Sequence, residues 1–389
     1  MKTFLTDSLN KIEKEGLSRT LRLLESAPDS VVITDRKRVI QFSSNNYLGL
    51  ANHPVLKQAA REALEEYGLG SGASRLIAGN FELYERLERR LAKFKGTEAA
   101  LVFPSGYQTN IGAISTLMGP GDIIFSDALN HASIIDGCRL SGARVVIYPH
   151  RDLNSLKKII QQSPEAPKKL IVTDSVFSMD GTLAPLPGLA ALAKSFGCWL
   201  MVDEAHATGI FGRKGAGTAE HFGLEEKIDI QMGTFSKAFG SLGGYIAGSH
   251  CLINFFINSC RNIIYTTGLP PAVLSANQAA IDLVEKNSEL REQLWERVKF
   301  FRNELNRIGF DTLQSETQII PILTREPSLT MKFSRYLFEK GILAQGIRPP
   351  TVAEGLCRIR VSIMATHSWK DISYGLKILE EAGKTFGII

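Results

Sequence analysis

Short apolar runs alternate with longer amphipathic segments through the first half of the chain, and this alternation constrains the fold more than any other feature. Each run is largely apolar, as expected of a strand that helices cover on both faces. The runs span residues 99–103, 122–126, 144–148, 170–173 and 199–202. Between them lie helical stripes, such as Leu83, Leu87 and Leu91, or the one within residues 186–196. The alternation predicts an α/β fold with a doubly wound, mainly parallel sheet.

The pattern changes after Pro270 and Pro271, where long charged helical stretches replace the alternation. Strand-like runs then appear at residues 318–323 and 358–362, and a helical pattern covers residues 371–384. A chain of 389 residues also exceeds what one hydrophobic core usually supports. The sequence therefore predicts an N-terminal segment over residues 1–45, a large α/β domain over 46–285 and a small C-terminal α+β domain over 286–389.

Charge and cysteine usage exclude several classes of protein. The 45 basic and 40 acidic residues give a net charge of +5 without a basic block, so we expect neither nucleic acid nor a membrane as a main partner. The five cysteines form no Cys-x-x-Cys pair, which favours reduced thiols and a cytoplasmic location. The N-terminus lacks the apolar core of a signal peptide, and no apolar window is long enough to span a membrane.

Lys237 lies among hydroxyl-bearing and small residues in the segment 233–240. Lysine forms reversible Schiff bases with carbonyl cofactors, although a single lysine in such a context is usually a solvated loop residue. Upstream, a predicted buried strand is followed by Asp203 and His206. Because ligands bind at the carboxyl ends of parallel strands, we expect Asp203 and His206 to gather at that edge of the sheet with residues 104–107, Asp127 and residues 175–178. The combination indicates a site for pyridoxal phosphate.

Other chemistries fit the sequence less well. Gly68, Gly70 and Gly72 follow a helical pattern and lack the spacing of a dinucleotide fingerprint. The chain contains neither a nucleotide P-loop nor a Gly-x-Ser-x-Gly elbow. Asp203 and His206 have no third metal ligand near them in sequence. An aminotransferase or a racemase would share the lysine and the aspartate. A non-catalytic regulator that binds the cofactor would need a DNA-reading domain, and the first forty residues show no helix-turn-helix.

Six segments together resemble one enzyme family. They are residues 45–50, 70–75, 129–133, 175–181, 203–206 and 234–237. They are similar to the pyridoxal-phosphate-dependent α-oxoamine synthases, and the resemblance runs from about residue 9 to the C-terminus. It implies the fold type I of these transferases, an acyltransferase activity that ends in decarboxylation, and a homodimer with shared active sites.

The stretch 346–367 is most similar to the family members that join L-alanine to a pimeloyl thioester in biotin biosynthesis. Ala353 stands where many of these members carry proline, a departure that we expect to leave the chemistry intact. The sequence does not distinguish pimeloyl-CoA from pimeloyl-acyl carrier protein, since both present the same thioester. A glycine C-acetyltransferase, or another α-oxoamine synthase, is the alternative.

The resemblance also implies roles for individual residues. Lys237 would bind the cofactor and then serve as general base, while Asp203 would face the pyridine nitrogen and keep it protonated. His131 would lie on the ring face and contact the substrate, and His206 and Ser178 would bond the ring hydroxyl. For the phosphate we expect the backbone N–H groups of Gly106 and Tyr107, at the start of a predicted helix, and the hydroxyls of Thr234, Ser236 and, from the other subunit, Thr266 or Thr267.

Arginines are the expected ligands of the substrates. We expect Arg360 to pair with the alanine carboxylate, because a guanidinium can form two parallel hydrogen bonds with it. Arg358 shares the same strand face, so either arginine could instead pair with an acidic side chain. The resemblance places the acyl substrate beside Arg348, Thr351 and Arg19, with Arg22 as the alternative to Arg19.

Overall fold

The computed structural model describes residues 1–15 and 17–389, within which thirteen strands form three sheets. The strands are β1 Val31–Thr34, β2 Lys37–Gln41, β3 Ala99–Phe103, β4 Ile123–Asp127, β5 Arg144–Tyr148, β6 Lys169–Asp174, β7 Trp199–Asp203, β8 Ile230–Thr234, β9 Gly244–Gly248, β10 Ile319–Arg325, β11 Ile342–Leu343, β12 Gln345–Ile347 and β13 Cys357–Ser362.

The largest sheet has seven strands in the order β3-β9-β8-β7-β6-β4-β5. All neighbours run parallel except β9, which is antiparallel to both β3 and β8. Residues 235–243 join β8 to β9, and this connection is too short for the crossover that a parallel pair needs. The predicted α/β fold with a mainly parallel sheet is confirmed, and Lys237 lies in the short β8–β9 connection.

The helices pack on both faces of this sheet and over the C-terminal region. They are α1 Lys2–Lys14, α2 Pro54–Tyr67, α3 Glu82–Lys95, α4 Gly106–Leu117, α5 Ala132–Ser141, α6 Leu153–Gln162, α7 Leu186–Phe196, α8 Thr218–Phe222, α9 His250–Ser259, α10 Arg261–Ile264, α11 Pro271–Lys286, α12 Glu289–Ile308, α13 Pro327–Glu339 and α14 Trp369–Thr385. The predicted stripe of α3 is buried at Leu83, Leu87 and Leu91. Across residues 1–15 and 17–389, no helix has the length and apolarity needed to cross a membrane.

The C-terminal region contains two small sheets. Strands β10, β13 and β12 form an antiparallel sheet, and β2 pairs with β1 on one side and with β11, in parallel, on the other. The N-terminal strands therefore complete a C-terminal sheet. One hydrophobic cluster includes Leu87, Phe42, Phe301 and Ile359, so the two regions share a core along their contact. The domain boundaries at residues 45 and 285 stay a prediction.

Candidate active site

A cavity of about 270 Å³ opens at the carboxyl edge of the large sheet. The ends of β6, β7 and β8 and the first turn of α4 form its walls, as expected for a ligand site in a parallel sheet. Eight residues predicted from the sequence line this cavity: Gly106, Tyr107, His131, Asp203, His206, Thr234, Ser236 and Lys237.

Asp203, the last residue of β7, is 3% exposed. Its Oδ2 accepts a hydrogen bond of 2.7 Å from Asn110 Nδ2, and its Oδ1 accepts one of 2.8 Å from the backbone N–H of Ala205. Asn110 also donates to Ser133 Oγ at 2.9 Å. These donors fix the carboxylate where it lines the cavity, which suits it to hold a protonated ring nitrogen.

His131 caps the N-terminus of α5, and its Nδ1 accepts a hydrogen bond of 3.2 Å from the backbone N–H of Ser133. Its own backbone N–H donates to Asp174 Oδ2 at 2.7 Å. Burial lowers the pKa of His131, so its ring is neutral. The cap contacts fix the imidazole at the cavity wall, as a residue that packs on a planar ring requires.

Asp174 is a cavity residue that the sequence analysis did not predict. Burial, with the charge of Asp203 nearby, raises the pKa of Asp174 well above its usual value. It ends β6 just as Asp203 ends the neighbouring β7, so the same strand-end rule could have found it.

Lys237 lines the same cavity as Asp203 and Asp174. Burial lowers its pKa to about 8, and Asp203 and Asp174 offset part of that shift. A lysine with a pKa near 8 is partly neutral at physiological pH, as a nucleophile or a general base must be. Gly240 closes the turn after it with φ of 66°, and a Cβ there would lie 2.3 Å from the backbone N of Ala51. Only glycine fits at this close approach.

The start of α4 offers free backbone donors to the cavity. The side chain of Ser105 caps the helix by accepting a hydrogen bond of 3.2 Å from the backbone N–H of Gln108. The N–H groups of Gly106 and Tyr107 precede this cap contact and have no partner within the helix. A helix N-terminus with free donors stabilises an anion such as a phosphate.

Two hydroxyls lie beside this helix start. Thr234 Oγ1 donates to the carbonyl of Gly243 at 2.6 Å and lies 2.8 Å from Ser236 Oγ. Because the threonine proton is used by Gly243, the contact between the two hydroxyl oxygens takes the proton of Ser236, and an anion would compete with Thr234 for that proton. Thr266 and Thr267 do not line this cavity, and Thr267 is exposed.

Arg360, on β13, is buried and reaches toward the site from the C-terminal region. Its Nε donates to the carbonyl of Ser178 at 2.6 Å, and its Nη2 donates to Asn45 Oδ1 at 3.0 Å. Arg358 instead forms an ion pair with Asp180 at 2.7 Å. Among the residues that the structure describes, Arg360 has no carboxylate within ion-pair distance. The structure thus separates the two arginines, which the sequence could not do.

His206 bonds through Nδ1 to the hydroxyl of Tyr47 at 2.7 Å, and its carbonyl accepts from Gln318 Nε2 at 2.8 Å. Burial, with Lys237 nearby, holds the pKa of His206 well below its usual value. Ser178 does not line the cavity, and its carbonyl meets Arg360 instead. Its predicted contact with a ring hydroxyl stays a prediction.

The residues predicted for the acyl substrate lie outside this cavity. Arg348 Nη2 donates to the carbonyl of Ser18 at 3.0 Å, which brings it beside Arg19, and the backbone N–H of Thr351 bonds the Arg348 carbonyl at 3.1 Å. Arg19 is exposed. Arg22 is held by Asp35 at 3.6 Å. Arg19 is therefore the more available of the two candidate arginines.

Comparisons with known proteins agree with this geometry. A family model described as aminotransferase class I and II matches residues 37–379. The chain is 51% identical over 387 residues, 99% of either protein, to an 8-amino-7-oxononanoate synthase of Geobacter sulfurreducens. The chain belongs to the 8-amino-7-oxononanoate synthase family. Membership of this family confirms the predicted fold type, the predicted class of acyltransferase and the predicted cofactor, pyridoxal phosphate.

Solved structures place the 8-amino-7-oxononanoate synthase family among wider relatives. A serine palmitoyltransferase of S. paucimobilis with a bound PLP–myriocin aldimine has a TM-score of 0.94, 33% identity, and coverage of 99% of this chain and 98% of that one. An 8-amino-7-oxononanoate synthase of Francisella tularensis has a TM-score of 0.79 and 29% identity, and covers 90% of this chain and 99% of that one. The fold is thus common to enzymes with different substrates, and the chain is more identical to the Geobacter sulfurreducens synthase, at 51%, than to either of these two structures.

Proposed function

We propose that this chain condenses L-alanine with a pimeloyl thioester and releases carbon dioxide and the free thiol, which makes 8-amino-7-oxononanoate for biotin biosynthesis. The observation that carries the proposal is 51% identity, over nearly the whole of both chains, to a synthase of that name. The serine palmitoyltransferase, whose structure is more similar to this chain than that of the Francisella tularensis synthase, is only 33% identical to it in sequence. Its likeness therefore supports the shared chemistry and not its substrates.

Pyridoxal phosphate fits the cavity of this chain. The donors at the start of α4 suit a phosphate, and Asp203 lies farther along the cavity wall, where a pyridine nitrogen needs a negative charge. Bound there, the cofactor supplies an aldehyde that exchanges amines and a ring that accepts electrons from the substrate Cα. Asp203 holds the proton on the ring nitrogen, and the neutral His131 packs on the ring face without adding charge.

Lys237 has two tasks in this reaction. It would hold the cofactor until L-alanine is bound, and its amine would then be the base that removes the proton from the substrate Cα. The pKa of about 8, which burial imposes, suits both tasks, because the amine can carry or lose a proton near neutral pH.

Arg360 orients the amino acid. It is charged, buried and without an acidic partner among the described residues, so a substrate carboxylate would complete its pairing. Holding the carboxylate fixes which Cα bond faces Lys237. After acyl transfer the same carboxylate leaves as carbon dioxide. Arg19, Arg348 and Thr351 are proposed to contact the acyl chain at the mouth of the site.

The active form is proposed to be a homodimer in the cytoplasm. Thr266 and Thr267 do not line the cavity of their own subunit, which leaves them available to a phosphate in the other. Nearby apolar side chains are strongly exposed in the single chain, with Ile77 at 80% and Tyr265 at 71%. Such exposed apolar surface is typical of a protein interface. All five cysteines are free, in keeping with a reducing compartment.

The test supplies the purified protein with pyridoxal phosphate and compares four substrate pairs by release of carbon dioxide and thiol. L-alanine with pimeloyl-CoA or with pimeloyl-acyl carrier protein is expected to give the highest kcat/KM, and the ratio of those two rates identifies the donor. Glycine with acetyl-CoA as the best pair would establish the C-acetyltransferase instead. L-serine with palmitoyl-CoA as the best pair would establish a palmitoyltransferase.

A further inference from the structure

Tyr47 connects the proposed carboxylate ligand, Arg360, with His206. Its side chain is fully buried. Its hydroxyl oxygen lies 2.7 Å from His206 Nδ1, 3.0 Å from Asn45 Oδ1 and 3.4 Å from Arg360 Nη2. Sequence analysis assigned Tyr47 no role, although it belongs to the 45–50 segment that resembles the family.

The protons of this cluster can be assigned by elimination. Arg360 only donates hydrogen bonds, so the Asn45 atom 3.0 Å from its Nη2 must be the amide oxygen. The same oxygen lies 3.0 Å from the Tyr47 hydroxyl oxygen. Two oxygens at this distance repel each other unless a proton lies between them, and only Tyr47 carries one. The Tyr47 proton therefore points to Asn45.

The contact between Tyr47 and His206 then needs a proton from the imidazole. The distance of 2.7 Å is that of a hydrogen bond, and the tyrosine proton is already used. Burial raises the pKa of Tyr47, so the phenol keeps its single proton. Burial also keeps the imidazole of His206 neutral, so it has one N–H group to place.

We infer that Tyr47 is a positioning residue that holds His206 as the Nδ1–H tautomer, so that Nε2 presents a lone pair to the cavity. If the proposed function holds, this nitrogen would face the ring oxygen of the cofactor. The hydroxyl of Tyr47 then donates to Asn45 and accepts from His206 and, at longer distance, from Arg360, with the Gln318 side chain also beside it. The tautomer itself is a property of the protein alone.

The tautomer can be measured by long-range ¹H–¹⁵N NMR on deuterated protein with ¹⁵N-labelled histidine. The chain contains seven histidines, and loss of one signal pair in His206→Gln assigns His206. We expect a protonated, pyrrole-type shift at Nδ1 and an unprotonated, pyridine-type shift at Nε2, both without cofactor and with it. The opposite pattern, or an average of the two, in the unmodified protein would overturn the inference.

A matched pair of variants tests whether Tyr47 causes the tautomer. Tyr47→Phe removes the acceptor of the Nδ1 proton, so both tautomers are expected and the two ¹⁵N shifts should move toward each other. Tyr245→Phe is the control, because Tyr245 is an equally buried phenol that bonds Thr208 at 2.8 Å and has no bond to His206. Unchanged His206 shifts in Tyr47→Phe, or an equal change in Tyr245→Phe, would refute the assignment of this role.

The proposed function is tested separately in the same samples by the visible absorbance that appears when pyridoxal phosphate is added. A protein with the expected His206 shifts but without that absorbance would keep the tautomer and refute the cofactor site. A protein with the absorbance and the opposite shifts would do the reverse.

Discussion

Replacement of Arg360 by lysine separates the role of its shape from the role of its charge. The guanidinium uses Nε, Nη1 and Nη2 to bond Ser178, Ser362 and Asn45 at 2.6, 3.0 and 3.0 Å. A guanidinium has five N–H groups, and a second N–H of Nη2 reaches the Tyr47 hydroxyl at 3.4 Å, so one N–H on Nη1 remains for a substrate carboxylate. Lysine keeps the positive charge but cannot hold these neighbours and the carboxylate in the same geometry.

The expected loss in Arg360→Lys is about one charge-assisted hydrogen bond to the carboxylate, roughly 1.5–3 kcal/mol. This corresponds to an increase of about 10- to 150-fold in the dissociation constant of L-alanine. The measurement is a spectral titration of the cofactor-loaded protein with L-alanine in the absence of thioester, so that no turnover contributes. Circular dichroism of both proteins shows whether the variant is folded.

Arg358→Lys is the matched control on the same strand. Arg358 pairs with Asp180 at 2.7 Å, and a lysine can keep that ion pair. The dissociation constant of L-alanine should therefore change less than threefold, by roughly half a kcal/mol at most. Equal weakening in both variants, or no weakening in Arg360→Lys, would show that the carboxylate binds elsewhere.

Three further predictions concern the surroundings of the site. Lys95→Met leaves the fully buried Glu204 without its ion partner, so the free energy of unfolding in urea should fall by about 3–5 kcal/mol; an unchanged midpoint would contradict this. Gly244→Ala places a Cβ 2.8 Å from the backbone at the start of α4, so cofactor affinity should fall about tenfold or more. Gly119→Ala is the control, because its Cβ would meet nothing closer than 4.0 Å, and it should leave the cofactor affinity unchanged. Equal cofactor affinities in the two variants would contradict the phosphate site. Because the pKa of Lys237 is lowered to about 8, the rate at which cofactor-free protein captures pyridoxal phosphate should rise with pH through that value and then level off. Stopped-flow absorbance measures this rate. A rate that keeps rising toward pH 10, the usual lysine range, would contradict the lowered pKa.

The sequence predicts the buried strands of the large sheet well, because a strand that is buried on both faces needs a continuous apolar run. Residues 99–103 coincide with β3, residues 199–202 fall within β7, and α7 occupies the predicted 186–196. Residues 144–148 coincide with the edge strand β5, which is largely exposed, so burial on both faces does not explain that match. Strand β8 escaped prediction because Gln231 and Gly233 interrupt its apolar pattern, and β9 because glycines at both ends leave only three apolar residues between them. A Cβ at Gly233 would lie 2.2 Å from the Tyr245 hydroxyl, so tertiary close packing selects that glycine. A close contact of this kind between two strands leaves no periodic pattern in the sequence.

Some residues of the site could likewise be predicted from the sequence, and others could not. Asp203 and His206 could be predicted because parallel strands deliver their carboxyl ends to one edge, whereas Lys237 was indicated by the hydroxyl-bearing and small residues around it. The family resemblance added residues whose positions along the chain imply no role, such as Arg360. Asn110 was missed, since nothing in the sequence indicates that a residue inside α4 would bond the Asp203 carboxylate.

The central claim is a covalent bond between the cofactor aldehyde and the ε-nitrogen of Lys237. Borohydride reduction of the protein loaded with pyridoxal phosphate, followed by proteolysis and mass spectrometry, tests it directly. One modified peptide is expected, with the reduced cofactor on Lys237, and none in Lys237→Ala. A reduced cofactor on a different lysine, or on none, would show that Lys237 does not bind the cofactor.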